Sequence, residues 1–172
     1  MIGLQQDYRC VSSTIFIVLL FSLAGIAGAE ELYSKSAKTV CGNTNVSVIT
    51  ECYADSDVLP SCTKQQFEFR TIGISNPNTI NTLGKPGDYS LATAFACVKG
   101  KSQYYILINH NNGGNCEECE WSELFDLNGK KLTSDRNAKD AYERFSKIYT
   151  KLGLPKTWPR SSFIDIPLRR KY

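Results

Sequence analysis

Six cysteines follow the first thirty residues of the chain, and they constrain its fold more than any other feature. The sequence has seven cysteines in all, with Cys10 standing apart near the start. An even number of cysteines in an exported chain indicates a framework of three disulfides. Spacing alone does not choose among the pairings; we predict that Cys116 pairs with Cys119 as a short loop clasp and that the other four pair among themselves. The predicted disulfide cysteines are Cys41, Cys52, Cys62, Cys97, Cys116 and Cys119.

The first 29 residues have the pattern of an export signal. An apolar run begins at Thr14 and is followed by Ala27-Gly28-Ala29, a small-residue cleavage pattern. The run is shorter than the roughly 20 apolar residues of a spanning helix, so we predict a cleaved signal peptide over 1–29 rather than an uncleaved anchor. Cys10 precedes the run, so we expect no lipid anchor. The predicted location is periplasmic or extracellular.

Alternating apolar and polar side chains predict a β-rich body that forms a single domain over residues 30–172. Residues 30–39 are polar and are predicted to be loose, and residues 75–90, rich in Asn, Pro and Gly, predict a long loop. Asn128-Gly129 is a strong hairpin signal. The predicted strands cover 44–53, 64–74, 91–99, 103–109, 120–127, 130–132 and 163–168.

One amphipathic helix is predicted at about 135–152, followed by a basic tail over 153–172. Gly153 suits the position just past the helix, and Pro155 prevents its continuation. The chain shows no parallel βαβ alternation. We therefore predict an α+β fold: a mainly antiparallel twisted sheet of about five to six strands, with one C-terminal helix packed on it, stabilised by disulfides.

The sequence offers little catalytic chemistry. Its one histidine, His110, is the only candidate for the base that a Ser-His-Asp or Cys-His site needs. We expect it to be an exposed residue of an Asn-rich loop. The sequence contains no nucleophile-elbow, zinc-protease, Walker or dinucleotide-binding motif. We predict no enzymatic activity, no cofactor and no metal.

Two enzymatic alternatives stay open. Cys116-Glu-Glu-Cys119 has the spacing of a thiol-disulfide redox motif, but Glu117 and Glu118 disfavour the reactive thiolate. A hydrolase with two carboxylates requires no local motif, because its acid and base can be distant in sequence. A zinc site at His110, Cys116 and Cys119 lacks a fourth ligand.

The uneven distribution of charge along the chain favours a role in binding a charged partner. Residues 30–129 carry a net charge of −5 and residues 130–172 a net charge of +8. The overall charge of +3 gives no indication of specific nucleic-acid binding. A rigid acidic loop around Cys116 suits a basic partner, because rigidity lowers the entropic cost of binding. The candidate binding residues are Asn112, Asn115, Glu117, Glu118, Glu120 and Glu123.

We therefore expect an exported, soluble protein that binds another protein. An inhibitor or immunity-type protein that engages a secreted hydrolase or toxin fits this format. A further alternative is an envelope-associated protein whose basic tail, 169–172, binds an anionic polymer. The sequence leaves the partner and the oligomeric state undetermined.

Overall fold

The computed structural model describes residues 31–54, 59–83, 90–136, 140–155 and 157–168. Across these ranges the chain forms nine strands in two antiparallel sheets and one α-helix. The predicted α+β class, with its antiparallel strands, C-terminal helix and disulfides, is confirmed. The signal segment 1–29 and the tail end 169–172 lie outside the described residues, so both remain predictions.

The first sheet is a meander of four strands in chain order. It consists of β1 (Leu32–Cys41), β2 (Thr44–Tyr53), β3 (Cys62–Thr71) and β4 (Asn78–Asn81). The sequence did not predict the two edge strands, and the expectation that residues 30–39 are loose was wrong. All ten residues of β1 pair with β2, but its side chains alternate only between exposed and half-buried until Cys41. Edge strands commonly carry charged side chains, and β1 is held by its backbone pairing with β2.

The second sheet has five strands in the order β8-β7-β6-β5-β9. A bulge between Ala92 and Ala94 interrupts the alternation of β5, so Leu91 and Ala92 both join the core facing the first sheet. Each strand falls within or close to a range predicted from the sequence. They are β5 (Leu91–Lys99), β6 (Tyr104–Asn111), β7 (Glu120–Phe125), β8 (Lys131–Ser134) and β9 (Ile164–Asp165).

The main core lies between the two sheets. Phe67 and Phe95 meet there edge to face, with ring centroids 5.4 Å apart, and Cys41 is bonded to Cys97 across the layer, joining β1 to β5. Cys52–Cys62 links β2 to β3, and Cys116–Cys119 closes a loop, so the predicted pairing is confirmed. Fully buried members of this core are Val46, Val48, Phe67, Phe95, Ile106 and Ile108.

The helix α1 (Ala141–Leu152) covers the other face of the second sheet. It begins later than the predicted residue 135, because the backbone N–H and C=O of Ser122 both bond to Asp135, which holds Asp135 against β7. It ends as predicted at Gly153, which adopts a left-handed conformation with φ 69°. The Lys101 N–H donates to the Leu152 carbonyl at 2.9 Å and ties this end to the β5–β6 turn.

Three disulfides indicate an oxidising, exported environment. Within the residues that the structure describes, no helix is long and apolar enough to cross a membrane.

Candidate functional site

A loop joins β6 to β7; it carries four of the candidate binding residues and ends at a fifth, Glu120, which begins β7. We call residues 112–120 the clasped loop, because the Cys116–Cys119 disulfide closes it. Gly114 packs directly on this disulfide, and a Cβ added there would overlap the Sγ of Cys119. A side chain of any size at this position would displace the sulfur, so the close approach requires glycine.

Hydrogen bonds hold the clasped loop on both sides of the disulfide. The Asn112 N–H donates to the Cys119 carbonyl at 3.1 Å, and the Cys119 N–H donates to the Cys116 carbonyl at 3.0 Å. The Asn112 Oδ1 accepts the Gly114 N–H at 3.0 Å. The loop is thus fixed by its own backbone and side chains and does not need a partner to become ordered.

The structure places most of the predicted binding residues together on this loop. Asn112, Asn115, Glu118 and Glu120 are all exposed. Glu120 also accepts a hydrogen bond from the Asn111 amide at 2.9 Å, which orients its carboxylate. Glu117 begins the short 3-10 turn Glu117–Cys119, but its side chain lies outside what the structure describes. The outward-facing groups are therefore carboxylates and amides.

Glu123 does not join this group. It is half-buried on β7, where its carboxylate contacts Lys131 at 3.0 Å and His110 at 3.4 Å. Burial alone would raise the pKa of Glu123, but the neighbouring His110 and Lys131 outweigh it and hold the pKa below its ordinary value. Glu123 is therefore placed to stabilise the strands beneath the loop rather than to contact a partner.

The loop stands on a stacked pair of aromatic rings that the sequence did not predict. His110 and Trp121 are directly paired across β6 and β7, with ring centroids 5.2 Å apart and planes 4° from parallel. The guanidinium of Arg136 lies over the Trp121 ring at 4.0 Å. This stack fixes the two strand ends from which the loop departs.

The expectation that His110 is an exposed loop residue was wrong. It is 4% exposed, because β6 continues to Asn111 and Trp121 covers the imidazole. Neither ring nitrogen has a hydrogen-bond partner among the described residues, although Nε2 lies at ion-pair distance from Glu123. Sequence reasoning missed this burial because it follows from the pairing of β6 with β7, and the register of that pairing depends on the length of the loop between them.

The chemistry around the cysteines gives little support to the redox and zinc alternatives. The segment after Cys119 is the strand β7 rather than a helix, and the exposed neighbours Glu118 and Glu120 disfavour a thiolate. The two sulfurs are bonded to each other, which leaves neither as a zinc ligand while the disulfide is intact. Over the described ranges, no group of three or more His, Cys, Asp or Glu is placed to hold a metal ion.

Comparisons with models of protein families, with curated proteins and with solved structures find no match to this chain. Its function has to be inferred from its own residues.

Proposed function

We propose that the protein is an exported binding protein whose clasped loop engages another protein with a basic surface. An inhibitor or immunity-type protein directed at a secreted hydrolase or toxin is the form that we favour. The proposal includes cleavage of the signal segment 1–29 and a periplasmic or extracellular location. The observation that carries it is an exposed acidic loop held rigid by a disulfide and by backbone hydrogen bonds.

Rigidity supports this function energetically. A loop that is already ordered loses little conformational entropy on binding, so more of the contact energy becomes affinity. The Cys116–Cys119 bond and the Asn112 to Cys119 hydrogen bond both exist without a partner. Loops of this kind on a sheet scaffold commonly carry recognition.

Charge supports a basic partner. Glu118 and Glu120 present carboxylates at the surface of the loop, which also exposes Asn115. Opposite charges raise the association rate more than the affinity, and salt screens the effect. We therefore expect association that slows as ionic strength rises.

The proposal is tested with three immobilised forms of the oxidised protein. The first is the wild type, and the second replaces Glu117, Glu118 and Glu120 by Gln. The third is a control that removes three carboxylates elsewhere, each in an ion pair of its own. The control replaces Glu51, Glu68 and Glu143 by Gln. In the wild type these glutamates form ion pairs with Lys64, Arg70 and Lys147, in that order.

Both triple variants change the net charge equally, so a difference between them reports position rather than charge. Exported proteins from the same cells and from neighbouring species are passed over each surface. We expect one protein to be retained by the wild type and the control in one-to-one amounts, and to be lost or weakened at least tenfold on the loop variant. Equal retention on all three surfaces, or none on any, would overturn the proposal.

The inhibitor form has its own readout. If the retained protein is a hydrolase or toxin, its activity should fall to a minimum at one equivalent of the wild type. The loop variant should require a higher concentration for the same effect. Binding that leaves the activity unchanged would reject inhibition while keeping protein recognition.

A further inference from the structure

A cavity of about 440 Å³ lies on the helix side of the second sheet, well within the size range of small-molecule sites. On the sheet side it is lined by Leu107, Asn109 and Ser122, together with Asp135. The opposite walls come from α1 and from the chain that follows it. Their aromatic members are Tyr142, Phe145, Tyr149, Trp158 and Phe163.

Hydrogen bonds orient the polar groups at the sheet side. The Ser122 hydroxyl donates to the Asn109 Oδ1 at 3.0 Å, and the Ser122 N–H donates to the Asp135 Oδ1 at 2.6 Å. These bonds fix the Asp135 carboxyl at the edge of the cavity. A carboxylate has room for several more hydrogen bonds, so it can still accept one from a ligand.

Asp135 is the one charged side chain among the described residues that line the cavity. Burial raises the pKa of its carboxyl above the ordinary value, with the nearby Glu123 adding to the effect. A cation seated beside Asp135 would offset this cost of burying a negative charge. The lysines of α1, Lys147 and Lys151, are exposed and do not line the cavity.

Two neighbouring polar groups lie within the aromatic wall of the cavity. The Trp158 indole N–H is buried and has no hydrogen-bond partner of regular geometry within the described part of the chain, although it lies beside the Tyr149 hydroxyl. Tyr149 is buried too, and burial raises the pKa of its hydroxyl, which therefore stays neutral.

We propose that this cavity binds a small organic ammonium ion, with its cationic nitrogen at Asp135 and its apolar body among the aromatic rings. Aromatic faces attract cations, and a carboxylate beside them selects an ammonium group over a neutral or anionic one. Its sheet-side residues Asn109 and Ser122 are two residue pairs from the Asn111–Glu120 pair at the base of the clasped loop, and its binding of a small cation does not depend on protein binding.

Tyramine is a suitable probe, because it combines an ammonium group, an aromatic ring and a hydroxyl. Two analogues keep the phenol ring of tyramine and change only the charge of its side chain: neutral 4-ethylphenol and anionic 3-(4-hydroxyphenyl)propionate. Titration calorimetry with the oxidised protein at pH 7 should show tyramine binding at least tenfold more tightly than either analogue. In proton–nitrogen spectra the Trp158 indole signal should shift, whereas that of Trp121 should stay in place.

Two variants test whether the ammonium group binds at Asp135 and whether the aromatic side chains contact the ligand. Asp135→Asn keeps an oxygen acceptor for Ser122 and should weaken tyramine about tenfold without affecting 4-ethylphenol. Its control is Asp126→Asn, because Asp126 also accepts backbone N–H groups, from Asn128 and Lys130, but lies outside the cavity lining. Tyr142→Ala should weaken tyramine several-fold with little effect on folding, since Tyr142 is 78% exposed.

Four results would overturn the proposal. They are tyramine binding no tighter than the propionate, equal losses for Asp135→Asn and Asp126→Asn, a shift of the Trp121 signal instead of Trp158, and no binding at millimolar concentration. None of them bears on the clasped loop, so this inference and the proposed function fail independently.

Discussion

The two faces of the second sheet are packed in different ways. Toward the first sheet, the core combines fully buried aliphatic and aromatic side chains with half-buried ones and is crossed by Cys41–Cys97. Toward α1, the layer combines apolar side chains with Asn109 and Ser122 and encloses a cavity. The first layer is cross-linked, and its buried Gln65 side chain is hydrogen-bonded to Ala92 and Thr82, whereas the second layer contains a cavity with polar groups in its lining. We infer that stability is concentrated in the first layer and the capacity to bind a small ligand in the second.

Strand β6 shows how one segment supplies both layers. Ile106 and Ile108 point into the sheet-to-sheet core, whereas Tyr105 and Leu107 point toward α1. Many partners of the second group are only half-buried, among them Phe145 and Trp158. The same strand therefore contributes buried side chains to both layers and lines the cavity on its α1 side.

The largest difference is expected from removing one phenylalanine from each layer. Phe67→Ala should lower the free energy of unfolding by about 4 kcal/mol, because Phe67 is fully buried and its loss leaves a cavity. Phe145→Ala should cost only about 1–2 kcal/mol, because Phe145 is half-buried beside an existing cavity. Urea unfolding of the two variants measures both values. Equal losses would contradict the difference between the layers.

A smaller difference is expected between two of the disulfides. Replacing Cys41 and Cys97 by Ala should lower the unfolding free energy by about 3–4 kcal/mol, because the bond spans 56 residues and restricts the unfolded chain strongly. Replacing Cys116 and Cys119, which are 3 residues apart, should cost about 2 kcal/mol or less. Thermal unfolding under oxidising conditions compares them. The prediction fails if the short bridge stabilises the fold as much as the long one.

A local change tests the clasped loop separately from both layers. Gly114→Ala should destabilise the protein by about 1–2 kcal/mol, because its methyl group would overlap the Cys119 sulfur and force the loop to shift. The substitution should also make the Cys116–Cys119 bond easier to reduce than in the wild type. Asn115→Ala is the control, since Asn115 is exposed. Unchanged stability and reduction in Gly114→Ala would show that the close contact does not constrain the loop.

The smallest effect is a difference in pH dependence between two carboxyl groups near β7 and β8. The pKa of Glu123 is lowered by His110 and Lys131 against its burial, so its stabilising contribution is present above about pH 4.3, the ordinary glutamate value, and is lost as pH falls through the folded pKa. The pKa of Asp135 is raised by burial, so its contribution is present below about pH 3.9 and is lost as pH rises through the folded pKa.

The two carboxyl groups can therefore be separated by mutation. Glu123→Gln should flatten the loss of stability toward low pH, whereas Asp135→Asn should gain stability relative to the wild type as pH rises. Urea unfolding between about pH 3 and 7 gives both profiles. If the two variants change the profile in the same direction, the assigned environments are wrong.

Much of the fold follows from local sequence patterns. Alternation over Thr44–Tyr53 and Leu91–Lys99 predicts β2 and β5 with their observed bounds, and Gly153 marks the end of the helix. The edge strands β1 and β4 escape prediction, because they are held by backbone pairing and bury few side chains. Alternation also cannot reveal a second sheet, since it shows that one face is buried but not what covers it.

The clasped loop and the cavity also differ in how far they could be predicted from the sequence. The clasped loop could be predicted, because its cysteines, asparagines and glutamates are neighbours in sequence. The burial of His110 depends on its pairing with Trp121 across the loop. The cavity brings together Asn109, Asp135 and Trp158, which are distant in sequence. No local pattern reports such contacts, because they arise only when the helix packs on the sheet.

Amide hydrogen exchange on the oxidised protein tests the difference between the two layers most directly. Amides in the centres of β2, β3, β5 and β6 should exchange only through global unfolding, because each of these strands is paired on both sides and packs in the cross-linked core between the sheets. Amides of α1 should exchange faster, through local opening that leaves the two sheets intact. Equal protection of α1 and the central strands would contradict the account, because it would show that the helix layer is as firmly packed as the core between the sheets.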